Sequence, residues 1–136
     1  MNSTLSYLTP KSETFYIDAN SSIRQALEKF DYHKFSVVPL ISKNGKYVGT
    51  LSEGDILRYI KNNSNFDLSD AEKTKVKDIE RYRSYKTLSI NTPVIDVLKL
   101  SMEQNFIPMV DDRGIFIGII KRKSLLNFLF EKEFKL

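Results

Sequence analysis

Apolar residues along this chain follow two spacings, one typical of helices and one typical of strands. In the first half, Ile23, Ala26, Leu27 and Phe30 follow one another at helical spacing, which predicts a helix after the polar turn at 18–22. The runs around it are short and rich in β-branched and aromatic residues, as strands are. The elements predicted for this half are a strand at 14–17, a helix at 23–30, strands at 35–41 and 47–51 around a glycine-containing turn, and a helix at 52–60 whose inner face is Ile56, Leu57 and Ile60.

The second half carries the same order of patterns after a polar stretch at 61–75, where one helical turn is predicted from Leu68. Pro93 suits the first turn of a helix, because its missing N–H needs no partner there. The elements predicted for this half are a strand at 88–90, a helix after Pro93 whose inner face is Val94, Val97, Leu98 and Met102, strands at 106–110 and 115–120, and a helix at 121–130.

The two halves form an internal repeat. A shift of 69 positions aligns the prolines, glycines and apolar residues of the two paired-strand regions, and further upstream the shift becomes 71. The difference of two residues must therefore lie in the loop near Asp31 to Lys34. The aligned pairs include Pro39 with Pro108, Gly45 with Gly114, Gly49 with Gly118, Asn20 with Asn91, and Ile23 with Val94.

Each copy of the repeat has the predicted order β-α-β-β-α, and one copy alone is too small to bury its sheet well. Two copies packed sheet to sheet, with the helices outside and pseudo-twofold symmetry, would solve this problem. We therefore predict an α+β fold with units at 8–62 and 76–133 and a linker at 63–75. Such a pair also creates two related clefts between the units.

Composition and charge exclude only a few kinds of site and partner. The chain of 136 residues has a net charge of +4 and a pI of about 9.2, which suggests an anionic partner without choosing among nucleotide, nucleic acid and membrane. The absence of cysteine excludes disulfides and thiolate metal sites or nucleophiles. No apolar run is long enough to span a bilayer, and residues 1–10 lack the regions of a signal peptide. We therefore expect a cytoplasmic protein that does not enter a membrane.

The most informative polar residues are Ser52 and Asp55, three positions apart where a helix is predicted to begin. This spacing puts both side chains on one face of the helix start. Free N–H groups and the helix dipole make that end suitable for a polar or anionic ligand. The same pair also fits a plain helix cap with Ser52 at the N-cap, close to a capping box, and the local pattern favours the cap.

The whole pattern resembles a tandem pair of cystathionine-β-synthase-type (CBS) domains, the Bateman module. The resemblance rests on the lead-in Thr9-Pro10, on Ser36-Val37-Val38-Pro39-Leu40 with its glycine hairpin, and on Gly49-Thr50-Leu51-Ser52-Glu53-Gly54-Asp55, which fits the signature Gly-x-x-Thr/Ser-x-x-Asp. Similar proteins bind adenine nucleotides between the two units, usually regulate rather than catalyse, and often form dimers. The stand-alone form is similar to bacterial nucleotide-sensing proteins, some of which bind cyclic di-AMP.

The resemblance implies a nucleotide site at the first copy of the signature. It makes Asp55 the acceptor for ribose hydroxyls and Ser52 a contact to phosphate or ribose, which agrees with the chemistry of a carboxylate and of free N–H groups. The residues that it places around the base and sugar are Lys11, Phe35, Ser36 and Val38.

The second copy departs from the signature, because Lys121 stands where Ser or Thr is expected and Ser124 where Asp is expected. With Arg122 and Lys123, Lys121 concentrates cations at a helix start, where the dipole disfavours them unless anions neutralise them. Anion binding and a solvated charge run both fit this stretch. The other cations that could reach the same cleft, or simply lie on the surface, are Arg81 and Arg83.

Several functions stay open at this point. The first is a non-catalytic regulatory module that needs no cofactor and takes an adenine nucleotide (AMP, ADP, ATP or cyclic di-AMP) as its regulatory ligand in the cleft between the units. The second is a protein-interaction module whose clefts stay empty. The third and least favoured is a nucleic-acid-binding protein, since the acidic residues interspersed along the chain argue against a continuous basic face.

We do not expect an enzyme, because the chain shows no nucleophile–base pair, metal cluster or glycine-rich phosphate loop. We do expect protein partners. The apolar residues near the C-terminus exceed what one helix face can hide, which predicts a homodimer contact and leaves room for an unidentified target protein. These residues are Phe128, Leu129, Phe130 and Phe134.

Overall fold

The structure is a computed structural model that describes residues 6–33 and 37–134 of the chain. Its strands are β1 (Leu8–Pro10), β2 (Ile17–Asp18), β3 (Val37–Ile41), β4 (Tyr47–Ser52), β5 (Leu88–Ser89), β6 (Phe106–Val110) and β7 (Phe116–Lys121). Its helices are α1 (Ile23–His33), α2 (Glu53–Asn62), α3 (Leu68–Lys73), α4 (Val94–Ser101) and α5 (Arg122–Phe134). The order β-α-β-β-α occurs twice, so the predicted α+β fold is confirmed.

The strand pairs reproduce the two shifts of the repeat. In the first copy β2 runs parallel to β3 with Ile17 opposite Leu40, and in the second copy β5 runs parallel to β6 with Leu88 opposite Met109. Both hairpins then run antiparallel with an irregularity at the same place, after Leu40 and after Met109. Equivalent residues of the two copies therefore have equivalent partners on the neighbouring strands.

Two sheets result from these pairings. The first copy forms a sheet of three strands in the order β2-β3-β4, and the second forms a sheet of four strands in the order β1-β7-β6-β5. The additional strand β1 lies at the start of the first copy in sequence, but it pairs antiparallel with β7, so that Leu8 faces Ile120 and Pro10 faces Gly118.

Gly118 makes the approach of β1 to β7 sterically acceptable. Its φ angle is +148°, and a Cβ built on it would lie 2.2 Å from the carbonyl oxygen of Thr9. No other residue type fits this position without moving the backbone of β1.

The chain packs as two compact units, which do not coincide with the two copies of the repeat. One unit is Phe15–Ser84, and the other combines the described residues before Phe15 with those from Tyr85 onwards. The segment that begins the second copy therefore packs with the first: Val76 and Ile79 are buried in the core of the Phe15–Ser84 unit. Backbone hydrogen bonds fasten this segment, one of them from the Val76 N–H to the Ser21 carbonyl at 2.9 Å.

Each unit has its own apolar core. The largest fully buried side chains of the Phe15–Ser84 unit lie on its sheet and on α1 and α2: Ile17, Ile23, Phe30, Val38, Leu40, Leu51 and Ile56. Those of the other unit that pack into its core cluster lie on β6, β7 and α5: Ile107, Met109, Ile120 and Leu125. Among the described residues, no helix combines the length and the apolar character that crossing a bilayer requires.

The predicted burial of two residues, Leu57 and Met102, is wrong. Leu57 is 67% exposed, because it follows the buried Ile56 by one position and so projects about 100° around the helix from it. Met102 is 78% exposed, because α4 ends at Ser101 and the buried residues of its last turn are Leu100 and Ser101. The predicted single helical turn from Leu68 is confirmed as α3.

Candidate functional site

The start of α2 is closed by a capping box. Ser52 is the N-cap, and its hydroxyl oxygen accepts a hydrogen bond of 3.1 Å from the Asp55 N–H. In return, Oδ2 of Asp55 accepts the Ser52 N–H at 2.9 Å. Each side chain thus satisfies a backbone donor that the helix leaves unpaired. The local prediction of a cap is confirmed.

The second oxygen of the Asp55 carboxylate has partners beyond the cap. Oδ1 accepts a hydrogen bond of 2.8 Å from Nη2 of Arg58, one turn further along α2, and one of 3.1 Å from the backbone N–H of Tyr82. The Asp55 side chain is only 4% exposed. A buried carboxylate needs such donors, since an unpaired charge in the interior is costly.

Arg58 lies between Asp55 and the Tyr82 ring. The centre of its guanidinium is 3.7 Å from the centroid of that ring, within the range of a cation–π contact. Its side chain is 40% exposed. Nevertheless its Nε is buried and has no hydrogen-bond partner among the described residues. The guanidinium is therefore held by one hydrogen bond to the carboxylate and by the ring.

Arg81 lies against β4 of the same unit. Its Nη1 donates to the carbonyl oxygens of Lys77 at 3.2 Å and Val76 at 3.5 Å, and its guanidinium covers Gly49, where an added Cβ would come within 3.1 Å of Nε. Arg83 is exposed. The structure thus brings Arg81 to the first copy of the signature, together with Ser52 and Asp55.

Lys11 belongs to the other unit. It begins a short 3₁₀ turn that follows β1 and contacts β7, which ends at Lys121. Lys11 and Asp55 therefore belong to different compact units, and so do Arg81 and Lys121. The physical reason is that β1 pairs with β7 of the second copy, while Val76 and Ile79 at the start of the second copy are buried in the core of the Phe15–Ser84 unit.

The cations of the second copy differ in their surroundings. Arg122, the first residue of α5, is half-buried, and its Nε donates to the Ser101 carbonyl oxygen at 2.6 Å. Lys121 and Lys123 are exposed, and Ser124 is half-buried. Arg122 is thus tied to the end of α4, which leaves the two lysines as the accessible charges at this helix start.

The remaining predicted contacts concern the start of β3. The side chain of Val38 is 1% exposed and packs into the core of its unit, so only its backbone could border a ligand. Phe35 and Ser36 lie outside the described residues. Across residues 6–33 and 37–134, no group of three or more His, Asp or Glu side chains could hold a metal ion.

The sequence analysis missed two residues of this site. Arg58 follows Asp55 by three positions, which is the spacing of an ion pair on a helix, so this contact had a local signal. Tyr82 lies 27 positions from Asp55 and reaches it through a backbone N–H, which no side-chain pattern encodes.

Comparison with known proteins agrees with this fold. The family model of the CBS domain matches the chain twice, at residues 7–62 and 76–131. The chain belongs to the CBS-domain family, as a tandem pair.

Its relatives are distant in sequence and close in structure. The uncharacterized protein MJ1426 of Methanocaldococcus jannaschii is 27% identical, over 81% of this chain and 82% of that protein. The crystal structure of CbpB in complex with c-di-AMP has a TM-score of 0.88 at 23% identity, and covers 96% of this chain and 85% of that one. The crystal structure of CBSX2 in complex with AMP has a TM-score of 0.75 at 24% identity, and covers 98% and 99%.

Proposed function

We propose that this protein is a non-catalytic regulatory module that binds an adenine nucleotide at the start of α2, with Asp55 as the acceptor for ribose hydroxyls. The observation that carries the proposal is the buried Asp55 carboxylate, fixed by a capping box and facing the segment that holds Arg81 and Tyr82. A carboxylate fixed in this way accepts hydroxyl donors with little loss of conformational entropy. The nucleotide is a regulatory ligand, and no other cofactor is required.

Two structural relatives support an adenine ligand, because CbpB was crystallised with c-di-AMP and CBSX2 with AMP. These ligands differ chemically at the ribose. AMP carries two vicinal hydroxyls, whereas the 3′ oxygens of c-di-AMP are taken up by its phosphodiester links. A carboxylate that accepts from both hydroxyls favours a mononucleotide, so AMP, ADP and ATP are the first ligands to test here, with c-di-AMP as the alternative.

Thermal melting in the presence of ATP, ADP, AMP or c-di-AMP tests the proposal, since a ligand that binds only the folded chain raises the melting temperature. We expect the rise to disappear in Asp55→Asn. The matched control is Asp70→Asn, because Asp70 closes an equivalent capping box with Asp67 on α3. The proposal fails if no nucleotide shifts the wild-type melt, or if the control loses the shift as well.

The second copy of the signature lacks the ribose acceptor, so we propose that its exposed lysines Lys121 and Lys123 attract phosphate groups instead. Replacing both by alanine should weaken binding of ATP more than that of adenosine, because only ATP carries the charges. Equal effects on both ligands would contradict this assignment.

We also propose that the chain is a homodimer that meets its target protein in the cytoplasm, where nucleotide levels are sensed. The observation behind the homodimer is a stripe on α5, where Leu126, Phe130 and Phe134 are each at least 50% exposed and follow one another at four-residue spacing. Phe130→Glu should shift sedimentation towards the monomer, whereas Asn127→Glu on the same helix should not. A wild-type chain that sediments as a monomer would contradict the proposal.

A further inference from the structure

The Asp55 carboxylate is occupied by the protein's own donors. Three N–H groups, from Ser52, Arg58 and Tyr82, donate to its two oxygens. The side chain is 4% exposed. An ionised carboxylate has about four acceptor positions, so little of this one remains open to a ligand. The two hydroxyls of a ribose can therefore both be bound at Asp55 only if one of these donors is displaced.

The donors differ in how firmly they are held. The Ser52 N–H belongs to the capping box, and moving it would unwind the start of α2. The Tyr82 N–H belongs to the backbone next to Arg81, which is fastened to the carbonyl oxygens of Val76 and Lys77. Arg58 is held only through its side chain, which is flexible and partly exposed.

Arg58 is also imperfectly satisfied where it lies. Its Nε is buried without a hydrogen-bond partner among the described residues, and a buried donor in that state costs free energy. Rotation of the side chain into solvent would give Nε a water partner at the expense of the Asp55 hydrogen bond and the Tyr82 ring contact. The position of Arg58 therefore combines favourable contacts with one unfavourable one, so a competing ligand can displace the side chain at a low cost in free energy.

We propose that Arg58 is a latch on the ribose site: in the free protein it occupies Oδ1 of Asp55, and a ligand with ribose hydroxyls binds by replacing it. This inference rests on the proposed function and adds a residue that sets affinity and specificity. A ligand that donates both ribose hydroxyls to Asp55 must compete with Arg58, whereas a ligand without ribose hydroxyls leaves the latch closed.

The test compares Arg58→Met with wild type by isothermal titration calorimetry, using AMP and 2′,3′-dideoxy-AMP. Methionine keeps an unbranched side chain beside Tyr82 but donates no hydrogen bond. We expect AMP to bind about tenfold tighter, the equivalent of one hydrogen bond to a charged group. Binding of the dideoxy compound should not change. The matched control is Arg24→Met, because Arg24 is an ion-paired arginine of the same unit that bonds to Glu28 and Glu72 instead.

Unchanged or weaker AMP binding by Arg58→Met would overturn the latch while leaving the proposed function intact. Failure of the wild-type chain and the variant to bind any adenine nucleotide would overturn both. If Arg58→Met does not fold, Tyr82→Leu provides the test, because it removes the ring that holds the guanidinium. Its AMP affinity should rise about threefold, the size of a partly exposed cation–π contact. A fall in affinity for this variant would also overturn the latch.

Discussion

At the scale of single residues, the Asp55 carboxylate closes the first turn of α2 and also fastens Tyr82 to that turn. The two oxygens divide this work, since Oδ2 accepts the cap N–H while Oδ1 accepts the donors from Arg58 and Tyr82. Asp70 performs only the first task, at the start of α3. Comparing variants at the two aspartates therefore distinguishes the stability that a helix cap contributes from the stability that a tertiary contact contributes.

We expect Asp55→Ala to lower the free energy of unfolding by about 2–3 kcal/mol, because it removes the cap and leaves the Tyr82 N–H and the Arg58 guanidinium without their acceptor. Asp70→Ala should cost about 1 kcal/mol, as the loss of a cap alone does. Urea denaturation of the two variants measures the difference. Equal losses would show that the Tyr82 contact contributes no stability.

At the scale of elements, the position of β1 depends on one glycine. Gly118 has a positive φ and faces the β1 backbone, whereas Gly49, its counterpart in the first copy, faces the flexible end of the Arg81 side chain. The same replacement should therefore have different consequences in the two copies, since a backbone cannot yield as a side chain can.

Gly118→Ala should destabilise the protein by on the order of 3 kcal/mol, through strain at its φ angle and collision with Thr9. Gly49→Ala should cost much less, because Arg81 can shift by a few tenths of an ångström. Chemical denaturation of both variants measures the contrast. A similar loss in both would mean that β1 is not closely packed on β7.

The hairpin after β6 offers a test by pH. Oδ1 of Asp111 accepts the N–H groups of Ile115 and Arg113, each at 2.9 Å. The hydrogen bond from Ile115 is the largest cause that holds the pKa of this carboxyl below its ordinary value of 3.8. Because the folded pKa is the lower one, the stabilisation is complete above 3.8 and disappears as the pH falls through the folded value.

Asp111→Ala should accordingly lower the melting temperature at neutral pH, and the gap to wild type should shrink as the pH falls below 3.8. The exposed neighbour Asp112 makes no such turn hydrogen bond to the described residues, so Asp112→Ala should leave the melting temperature at neutral pH unchanged. A gap that stays constant down to the acid limit would contradict the role of the Asp111 carboxylate.

At the scale of the whole molecule, the copies of the repeat and the compact units divide the chain at different places. The Phe15–Ser84 unit needs Val76 and Ile79 for its core. It also needs the backbone hydrogen bonds that fasten residues 75–78 to the turn before α1. A fragment cut at the predicted linker lacks these parts.

We expect a fragment of residues 15–84 to unfold cooperatively on heating, and a fragment of residues 1–75 not to, because only the former retains the complete core of one unit. Circular dichroism melts of the two fragments make the comparison. Cooperative unfolding of the 1–75 fragment would show that the repeat, rather than the compact unit, is the folding unit.

The features of the fold that the sequence predicts correctly are those that depend on residues close together in the chain or on the internal repeat. The hairpins, the capping box and the shifts of 69 and 71 are confirmed, since each depends on residues close together in the chain or on the repeat itself. The pairing of β1 with β7, by contrast, is not predicted, because the strand that belongs opposite a short edge strand is not encoded by its neighbours.

The candidate site shows the same division. The Ser52–Asp55 pair is readable from its spacing, and Arg58 could have been found in the same way. The Tyr82 contact could not, because a backbone N–H carries no residue-specific pattern. Leu57 was misplaced because apolar character alone does not show which side of α2 faces the core.

The pairing of β1 with β7 has a consequence for synthesis on the ribosome. More than a hundred residues separate Leu8 from its partner Ile120. The Phe15–Ser84 unit is complete in sequence long before β7 has been translated. It can therefore fold first, since domains generally fold as units while the chain is being made. Meanwhile β1, although it is translated before that unit, must wait unpaired until β7 has been made, so it can join its sheet only after the whole of the Phe15–Ser84 unit has been translated.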